Sequence, residues 1–134
     1  MSLTETLVAV TILVTSIAIA TPSLLRSREA YELQSVARMV ESRMQSARIL
    51  AVRRNRDCRV TVTSTSSYAL ECQGTAWETI ETVSLPHGLT VTASASPVFH
   101  ERGSVAPTAT ITVWNSRGRS LRVIVNVNGR VRIQ

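Results

Sequence analysis

The sequence predicts an α+β fold in which one long N-terminal helix packs against a C-terminal antiparallel β-sheet domain. Three observations carry this prediction: a charge-free apolar segment, an amphipathic helical segment that follows it, and a second half with alternating strand patterns. The 134 residues have room for one domain and an appended helix. We expect an apolar helix over residues 1–25, an amphipathic helix over 26–56 and a β-domain over 57–134.

The first segment is long enough to cross a bilayer. The twenty residues from Thr6 to Leu25 carry no charge, and as a helix they would extend about 30 Å. Pro22 lies inside this segment, yet Ser23–Arg54 has helical character again. We therefore expect a kink or a locally melted turn near Pro22 within one long helix.

Two general interpretations of this segment each leave a detail unexplained. Residues 18–20 resemble a signal-peptide cleavage site, but such peptides open with positive charge, and here the only charge before Arg26 is Glu5. A single-pass anchor explains the length of the segment. The positive-inside tendency would then place Arg26, Arg28 and the cysteine-bearing domain in the reducing cytoplasm.

The segment after Pro22 is amphipathic. Its apolar residues recur at spacings of three and four, which predicts one apolar stripe along a helix. The stripe consists of Leu33, Val36, Val40, Met44, Ala47 and Ala51. It must bury against the β-rich remainder of the chain, and Asn55 marks the expected helix end.

Two alternating segments, Cys58–Val62 and Tyr68–Cys72, predict a β-hairpin centred on Thr65. In that register three pairs share one face: Val62 with Tyr68, Val60 with Leu70, and Cys58 with Cys72. Opposed Cα atoms lie about 4.5–5.5 Å apart, within reach of a disulfide bond. In an exported domain we expect this bond to be a structural staple that contributes about 3 kcal/mol.

Further strands complete the predicted β-domain as one antiparallel sheet or two small packed sheets. They are Glu78–Leu85, Thr90–Ser94, Thr110–Trp114, Leu121–Val127 and Arg130–Gln134. Asn128-Gly129 is typical of a two-residue hairpin turn. Such a turn would place Arg130 and Arg132 on the face of Val127 and Val125.

The residue pattern offers no catalytic constellation. His87 and His100 are isolated, two cysteines are too few for a zinc site, and there is neither a nucleophile-elbow motif nor a phosphate-binding glycine loop. We therefore expect a protein that is not an enzyme, with no catalytic residue, metal or cofactor.

The positive charge is concentrated at the C-terminal end. All fifteen basic residues are arginines, the net charge is +6, and no acid follows Glu101. Such a face indicates an anionic partner. The candidate residues are Arg117, Arg119, Arg130 and Arg132. The alternatives are a solvated basic face, or arginines paired with Glu29, Glu32 or Glu41 of an adjacent subunit.

The N-terminal residues resemble the mature N-terminus of type IV pilins and type II secretion pseudopilins. Met1-Ser2-Leu3-Thr4-Glu5 has a hydrophobic first residue and an acid at position five, and Pro22 matches a frequent proline of the family. Family members usually have phenylalanine where Met1 stands. The resemblance implies a processed form, whose leader a prepilin peptidase removes. It also implies that Glu5 pairs with the α-ammonium of residue 1 on a neighbouring subunit.

The second half resembles pseudopilins and minor pilins of the GspH/FimT type. The residues that carry the resemblance are Ala47-Arg48, Arg53, Leu85-Pro86-x-Gly88, Val98-Phe99, Arg102-Gly103 and Val127-x-Gly129-Arg130. Gly129-Arg130-Val131-Arg132 also matches the Gly-Arg-x-Arg pattern of FimT-like minor pilins that bind DNA during uptake. The resemblance therefore implies DNA as a partner, contacted through phosphates and without sequence preference.

Together these observations predict a structural subunit of an extracellular type IV pilus-like filament, assembled by packing of its N-terminal helices. Met1, Glu5 and Pro22 are the expected assembly residues. A minor pilin or pseudopilin that serves secretion or DNA uptake is the first alternative, and a membrane-anchored binding domain is the second. Expected partners are copies of the chain or other pilins. The expected location is the bacterial inner membrane before assembly, then an extracellular filament or a periplasmic pseudopilus.

Overall fold

Within residues 2–134, which the computed structural model describes, the chain forms one helix and eight strands. The helix is α1 (Leu3–Arg54). The strands are β1 (Cys58–Ser64), β2 (Ser67–Gln73), β3 (Trp77–Ser84), β4 (Leu89–Ala93), β5 (Val98–Phe99), β6 (Ala109–Asn115), β7 (Ser120–Val125) and β8 (Val131–Ile133). The α+β prediction is confirmed. Met1, an expected assembly residue, lies outside the described residues.

The helix is continuous through Pro22 and ends where the sequence predicts. Its helical assignment is unbroken from Leu3 to Arg54, so the locally melted turn does not occur among these residues, and the kink stays a prediction. After Arg54, Asn55 adopts a positive φ of 51°. The Arg56 N–H donates to the Ala51 carbonyl (3.1 Å), which closes the helix in the manner of a Schellman motif.

The chain divides into two compact units, and the second begins at Leu33. In the first unit the side chains of residues 2–28 are all exposed. In the second, the helix buries one stripe and joins a single hydrophobic core with both sheets. The buried helical residues are Leu33, Val36, Ala37, Val40, Met44, Ala47 and Ala51. This set contains every residue of the predicted stripe.

The strands form two four-stranded sheets. Sheet A has the order β3-β2-β1-β5, and sheet B has the order β4-β6-β7-β8. All pairings are antiparallel. Alternate residues of β6 and β7 are buried, so one face of sheet B belongs to the core and the other faces outward. We call the second surface the outer face of sheet B.

The first hairpin has the predicted register. Cys58 pairs with Cys72, Val60 with Leu70, and Val62 with Tyr68. The two cysteines form a disulfide bond across β1 and β2, with their Cα atoms 4.0 Å apart. Both are buried in the core, so the predicted disulfide bond is confirmed, and its stabilising role stays a prediction.

The predicted two-residue turn at Asn128-Gly129 is wrong. The Asn126 N–H donates to the Arg130 carbonyl (3.1 Å), which makes Val127-Asn128-Gly129 a three-residue loop. Gly129 has φ 73°, as a three-residue hairpin loop requires. The extra residue shifts the register by one, so Arg132 pairs with Ile124 and not with Val125. Arg132 therefore lies on the outer face of sheet B.

The buried Tyr68 hydroxyl makes stability sensitive to alkaline pH. It has no hydrogen-bond partner among the described residues, and its burial raises the pKa of Tyr68 to about 12. Between pH 10 and 12 the unfolded chain therefore loses this proton while the folded chain keeps it. We expect the contribution of Tyr68 to the free energy of unfolding to be constant below pH 10. Between pH 10 and pH 12 it should decrease by about 1–3 kcal/mol.

Tyr68→Phe tests this expectation. The variant should lose that part of the alkaline dependence, and at neutral pH its stability should be unchanged or higher by about 1 kcal/mol, because an unpaired buried hydroxyl is removed. Urea unfolding at pH 8 and at pH 11.5 measures both effects. An identical pH dependence in the two proteins would contradict the assignment.

Candidate functional site

The N-terminus of the helix is closed by a capping box. Ser2 is the N-cap residue, and its N–H donates to the Glu5 carboxylate (Oε2, 3.0 Å). In return the Glu5 N–H lies 3.4 Å from Ser2 Oγ. The Ser-x-x-Glu spacing is the sequence signature of this motif, so the cap could have been predicted from the sequence alone. Glu5 thus has a local role in starting the helix beside its predicted role in assembly.

The exposed apolar surface of the first unit contains satisfied hydroxyl groups. Six hydroxyls donate to helix carbonyls three or four residues earlier, which satisfies these donors in an apolar environment. They belong to Thr6, Thr11, Thr15, Ser16, Thr21 and Ser27. By length and composition this helix could cross a membrane, although a signal sequence would pass the same criterion. The side chains of residues 2–28 are all solvent-exposed.

The four predicted arginines fall into two pairs at opposite ends of β7. Arg117 and Arg119 belong to the turn between β6 and β7, whereas Arg130 ends the turn between β7 and β8. The six residues of β7 separate these turns by roughly 20 Å. The structure therefore does not gather all four side chains in one place.

The two turns share one design, Asn-x-x-Gly-Arg. In each, the asparagine carboxamide oxygen accepts the N–H of the arginine: Asn115 from Arg119 (2.8 Å) and Asn126 from Arg130 (3.0 Å). In each, the glycine has a positive φ, 77° at Gly118 and 73° at Gly129. These local bonds orient the chain at both ends of β7.

Arg130 and Arg132 line a common groove on sheet B. The groove has a volume of about 330 Å³, and its other lining residues are Ile124, Asn126 and Gln134. The side chains of Arg130 and Arg132 are exposed. Among residues 2–134, the ion pairs do not involve either of them. This groove can therefore hold an anion without displacing an internal partner.

Arg48 of the helix joins this site through two glycines. A Cβ atom added at Gly129 would lie 2.5 Å from the Gly103 carbonyl oxygen and 2.9 Å from Arg48 Nε. A Cβ atom added at Gly103 would lie 3.2 Å from Arg48 Nε. Three segments of the GspH/FimT-like motif, distant in sequence, thus meet at one point. Arg48 and Arg130 also line a second groove of about 390 Å³.

The carboxylates that form ion pairs lie elsewhere. Glu71 pairs with Arg59 (2.6 Å) on sheet A, and Glu81 pairs with Arg43 of the helix (2.8 Å). No acid occurs in the sequence of any strand of sheet B. The electrostatic field of sheet B is therefore set by its arginines.

The remaining polar residues form no recognisable reaction centre within the described chain. His100 Nδ1 lies 3.0 Å from Asp57 Oδ1, and this pair links the end of the helix to the loop after β5. The described residues contain no group of three or more side chains that could hold a metal ion.

Sequence reasoning missed two side chains on sheet B as site residues. Arg122 pairs with Thr112, and Trp114 pairs with Ser120, so both belong to the outer face of sheet B. From the sequence, Arg122 is expected only to add to the C-terminal positive charge, and Trp114 only to end a strand. The register that unites them with Arg132 depends on the turn between β7 and β8, which the sequence did not predict correctly.

Comparisons with known proteins agree with this geometry. The family model for the type II transport protein GspH matches residues 36–129. The minor pilin FimU of Pseudomonas aeruginosa superposes with a TM-score of 0.66 at 17% identity, covering 79% of this chain and 90% of that one. The minor pseudopilin EpsH of the Vibrio cholerae type 2 secretion system gives a TM-score of 0.68 at 16% identity, with 77% and 96% covered. At these identities the two structures show the fold alone. A comparison with curated protein sequences finds no match.

Proposed function

The chain belongs to the GspH family of type II transport proteins, and we therefore propose that it is a pilin-type subunit of a pilus-like filament, incorporated as a minor component. The observation that carries this proposal is the exposed apolar helix, whose residues 2–28 are uncovered although six of its hydroxyls are satisfied by helix carbonyls. Such a surface needs a bilayer or neighbouring helices. The minor role is favoured because the two similar structures are a minor pilin and a minor pseudopilin.

We propose that the helix serves both environments in turn. Before assembly, residues 1–25 reside in the bacterial inner membrane, where a prepilin peptidase produces Met1 as the first mature residue. During assembly the helix exchanges lipid for the helices of other pilins. Glu5 then pairs with the α-ammonium of a neighbouring subunit, while the β-domain remains on the filament surface, outside the cell or in the periplasm.

Intact-mass spectrometry of sheared filaments tests this proposal. A minor subunit should appear at trace level beside a dominant pilin, with a methylated Met1 and with the mass of the oxidised Cys58–Cys72 pair. Dominance of this chain would identify it as the bulk subunit instead. Its absence from filaments, with all of it in the membrane fraction, would favour a membrane-anchored binding domain and contradict the proposal.

A second proposed property is binding of DNA through the groove at Arg130 and Arg132. Two exposed guanidinium groups that have no carboxylate partner among the described residues are suited to phosphate oxygens. Contacts to phosphate oxygens carry no base information, so the binding should be independent of sequence. Its affinity should fall steeply with salt as counterions are released.

Charge-matched variants of the full chain in nonionic detergent test this prediction. Arg130→Ala with Arg132→Ala should weaken duplex DNA binding at least tenfold and should reduce the slope of log K against log salt by about two. Arg117→Ala with Arg119→Ala removes the same charge at the other end of β7 and should have a clearly smaller effect. Equal losses in the two double variants would show that binding follows net charge and not this groove.

A further inference from the structure

The outer face of sheet B carries an aromatic side chain in line with its arginines. Trp114 on β6 lies opposite Ser120, and Arg122 on β7 lies opposite Thr112. Trp114 and Arg122 are therefore diagonal neighbours on adjacent strands, a distance of about 7–8 Å that aromatic and long side chains can span.

The same diagonal continues across β8. The backbone of Arg122 exchanges two hydrogen bonds with Gln134, and Ile124 pairs with Arg132. Arg122 and Arg132 are thus diagonal neighbours as well. Arg130 precedes Arg132 by two residues in the chain. We call the line Trp114–Arg122–Arg132–Arg130 the diagonal track.

Trp114 is held in place and is still accessible. Its indole N–H lies 3.4 Å from Thr92 Oγ1, as a donor to the neighbouring strand β4. The side chain nevertheless remains 40% exposed. An aromatic ring that is already oriented can stack on a ligand with little further loss of conformational freedom.

The surroundings of the track are neutral or positive. Its flanking residues are the threonines and serine of β4, β6 and β7, namely Thr90, Thr92, Thr110, Thr112 and Ser120. Within residues 2–134, Arg122 has no ion pair, as is also true of Arg130 and Arg132. Charge complementarity therefore favours a polyanion along the whole line.

We propose that the diagonal track binds single-stranded nucleic acid, with an unpaired base stacked on Trp114 and the phosphates on Arg122, Arg132 and Arg130. A ring on the surface of a sheet can stack only on a base that is free of its partner strand, and sheets with exposed aromatics are suited to such bases. The proposal rests on the DNA binding proposed above and adds a preference for strand ends and unpaired segments.

The test compares a 12-nucleotide oligo(dT) with a duplex of equal charge, using the full chain in nonionic detergent. We expect Trp114→Ala to weaken oligo(dT) binding about tenfold, in the range that base–aromatic stacking allows, and to change duplex binding less than twofold. Trp114→Phe should keep most of the affinity because it retains a ring. Arg122→Ala should reduce the salt slope for oligo(dT) by about 0.7.

Trp77 supplies the matched control. It is the other tryptophan, it lies on sheet A, and its ring is stacked with the Arg59 guanidinium at 4.1 Å. Trp77→Phe should leave the affinity unchanged and make Trp114 the single tryptophan reporter. Oligo(dT) should then quench its fluorescence.

The outcomes separate the two proposals. In one outcome oligo(dT) and duplex bind equally, Trp114→Ala affects neither, and the Arg130/Arg132 double variant weakens both. This result refutes the diagonal track and supports DNA binding through the groove at Arg130 and Arg132. If neither nucleic acid binds, both proposals fail. If a linear acidic polysaccharide of equal charge competes as well as oligo(dT) and depends equally on Trp114, the surface is a polysaccharide site and the proposal is overturned.

Discussion

Replacing Gly129 with alanine is expected to lower the free energy of unfolding of the β-domain by about 2–5 kcal/mol. Two effects add. Gly129 has φ 73°, and an L-residue in that conformation costs about 1–2 kcal/mol. The new Cβ atom would also lie 2.5 Å from the Gly103 carbonyl oxygen, and relief of such overpacking costs about 1–3 kcal/mol more.

Gly118 separates the two effects. It occupies the same position in the other Asn-x-x-Gly-Arg turn, with φ 77°, but an added Cβ atom there meets nothing within 4 Å. Gly118→Ala should therefore lose only the conformational part. Urea unfolding of both variants, followed by tryptophan fluorescence, measures the difference. Equal losses would mean that Gly129 is not packed against Gly103.

Arg48→Ala supplies a second check. It removes the side chain that a Cβ atom at Gly129 would approach at 2.9 Å, but the Gly103 carbonyl oxygen remains. The Gly129→Ala variant should consequently stay destabilised in the Arg48→Ala background. Full recovery would instead identify Arg48 as the sole obstacle. The two results therefore distinguish the Gly103 carbonyl oxygen from the Arg48 side chain as the group that limits the space at Gly129.

The helix and the first hairpin could be predicted because their signals are local and redundant. The stripe from Leu33 to Ala51 repeats over five turns, and Asn55 ends it. In the hairpin, alternation on both sides and the position of the two cysteines all favour one register. A shift by one residue would have turned Cys58 and Tyr68 away from the core.

The turn between β7 and β8 could not be predicted in the same way. Asn128-Gly129 suits a two-residue turn, and a glycine with positive φ also suits a three-residue loop. The side chain of Asn126 favours the longer loop, because it accepts the N–H of Arg130 at 3.0 Å. One residue of difference moves Arg132 from the predicted face of Val125 to the outer face of sheet B.

The site itself depends on contacts that no local pattern contains. Arg48 meets Gly103 and Gly129 only after the helix packs on both sheets. β5 was missed because two residues, paired with Cys58 and Arg59 some forty positions earlier, leave no periodic signal. The four predicted arginines are exposed, but they fall into two pairs at opposite ends of β7, and their binding role stays a prediction.

Glu5→Gln is expected to remove the chain from filaments although its helix still begins normally. Glutamine is accepted at this position of a capping box, so the Ser2 N–H keeps its acceptor. The negative charge is lost, however. The α-ammonium of a neighbouring subunit would then enter the apolar helix bundle unpaired, and breaking a buried ion pair costs about 3–5 kcal/mol. Incorporation should fall by about a hundredfold or more, as it should for Glu5→Ala.

Ser2→Ala is the matched control, because it weakens the cap and leaves the carboxylate in place. Loss of the 3.4 Å contact of Ser2 Oγ should lower helix stability by about 0.5–2 kcal/mol. A helix within a bilayer or bundle tolerates that loss. We therefore expect Ser2→Ala to assemble at a level near that of the wild type. The measurement is the ratio of this chain in sheared filaments to that in the membrane fraction. If Glu5→Gln assembles normally while Ser2→Ala does not, Glu5 acts by starting the helix, and the ion pair across subunits is refuted.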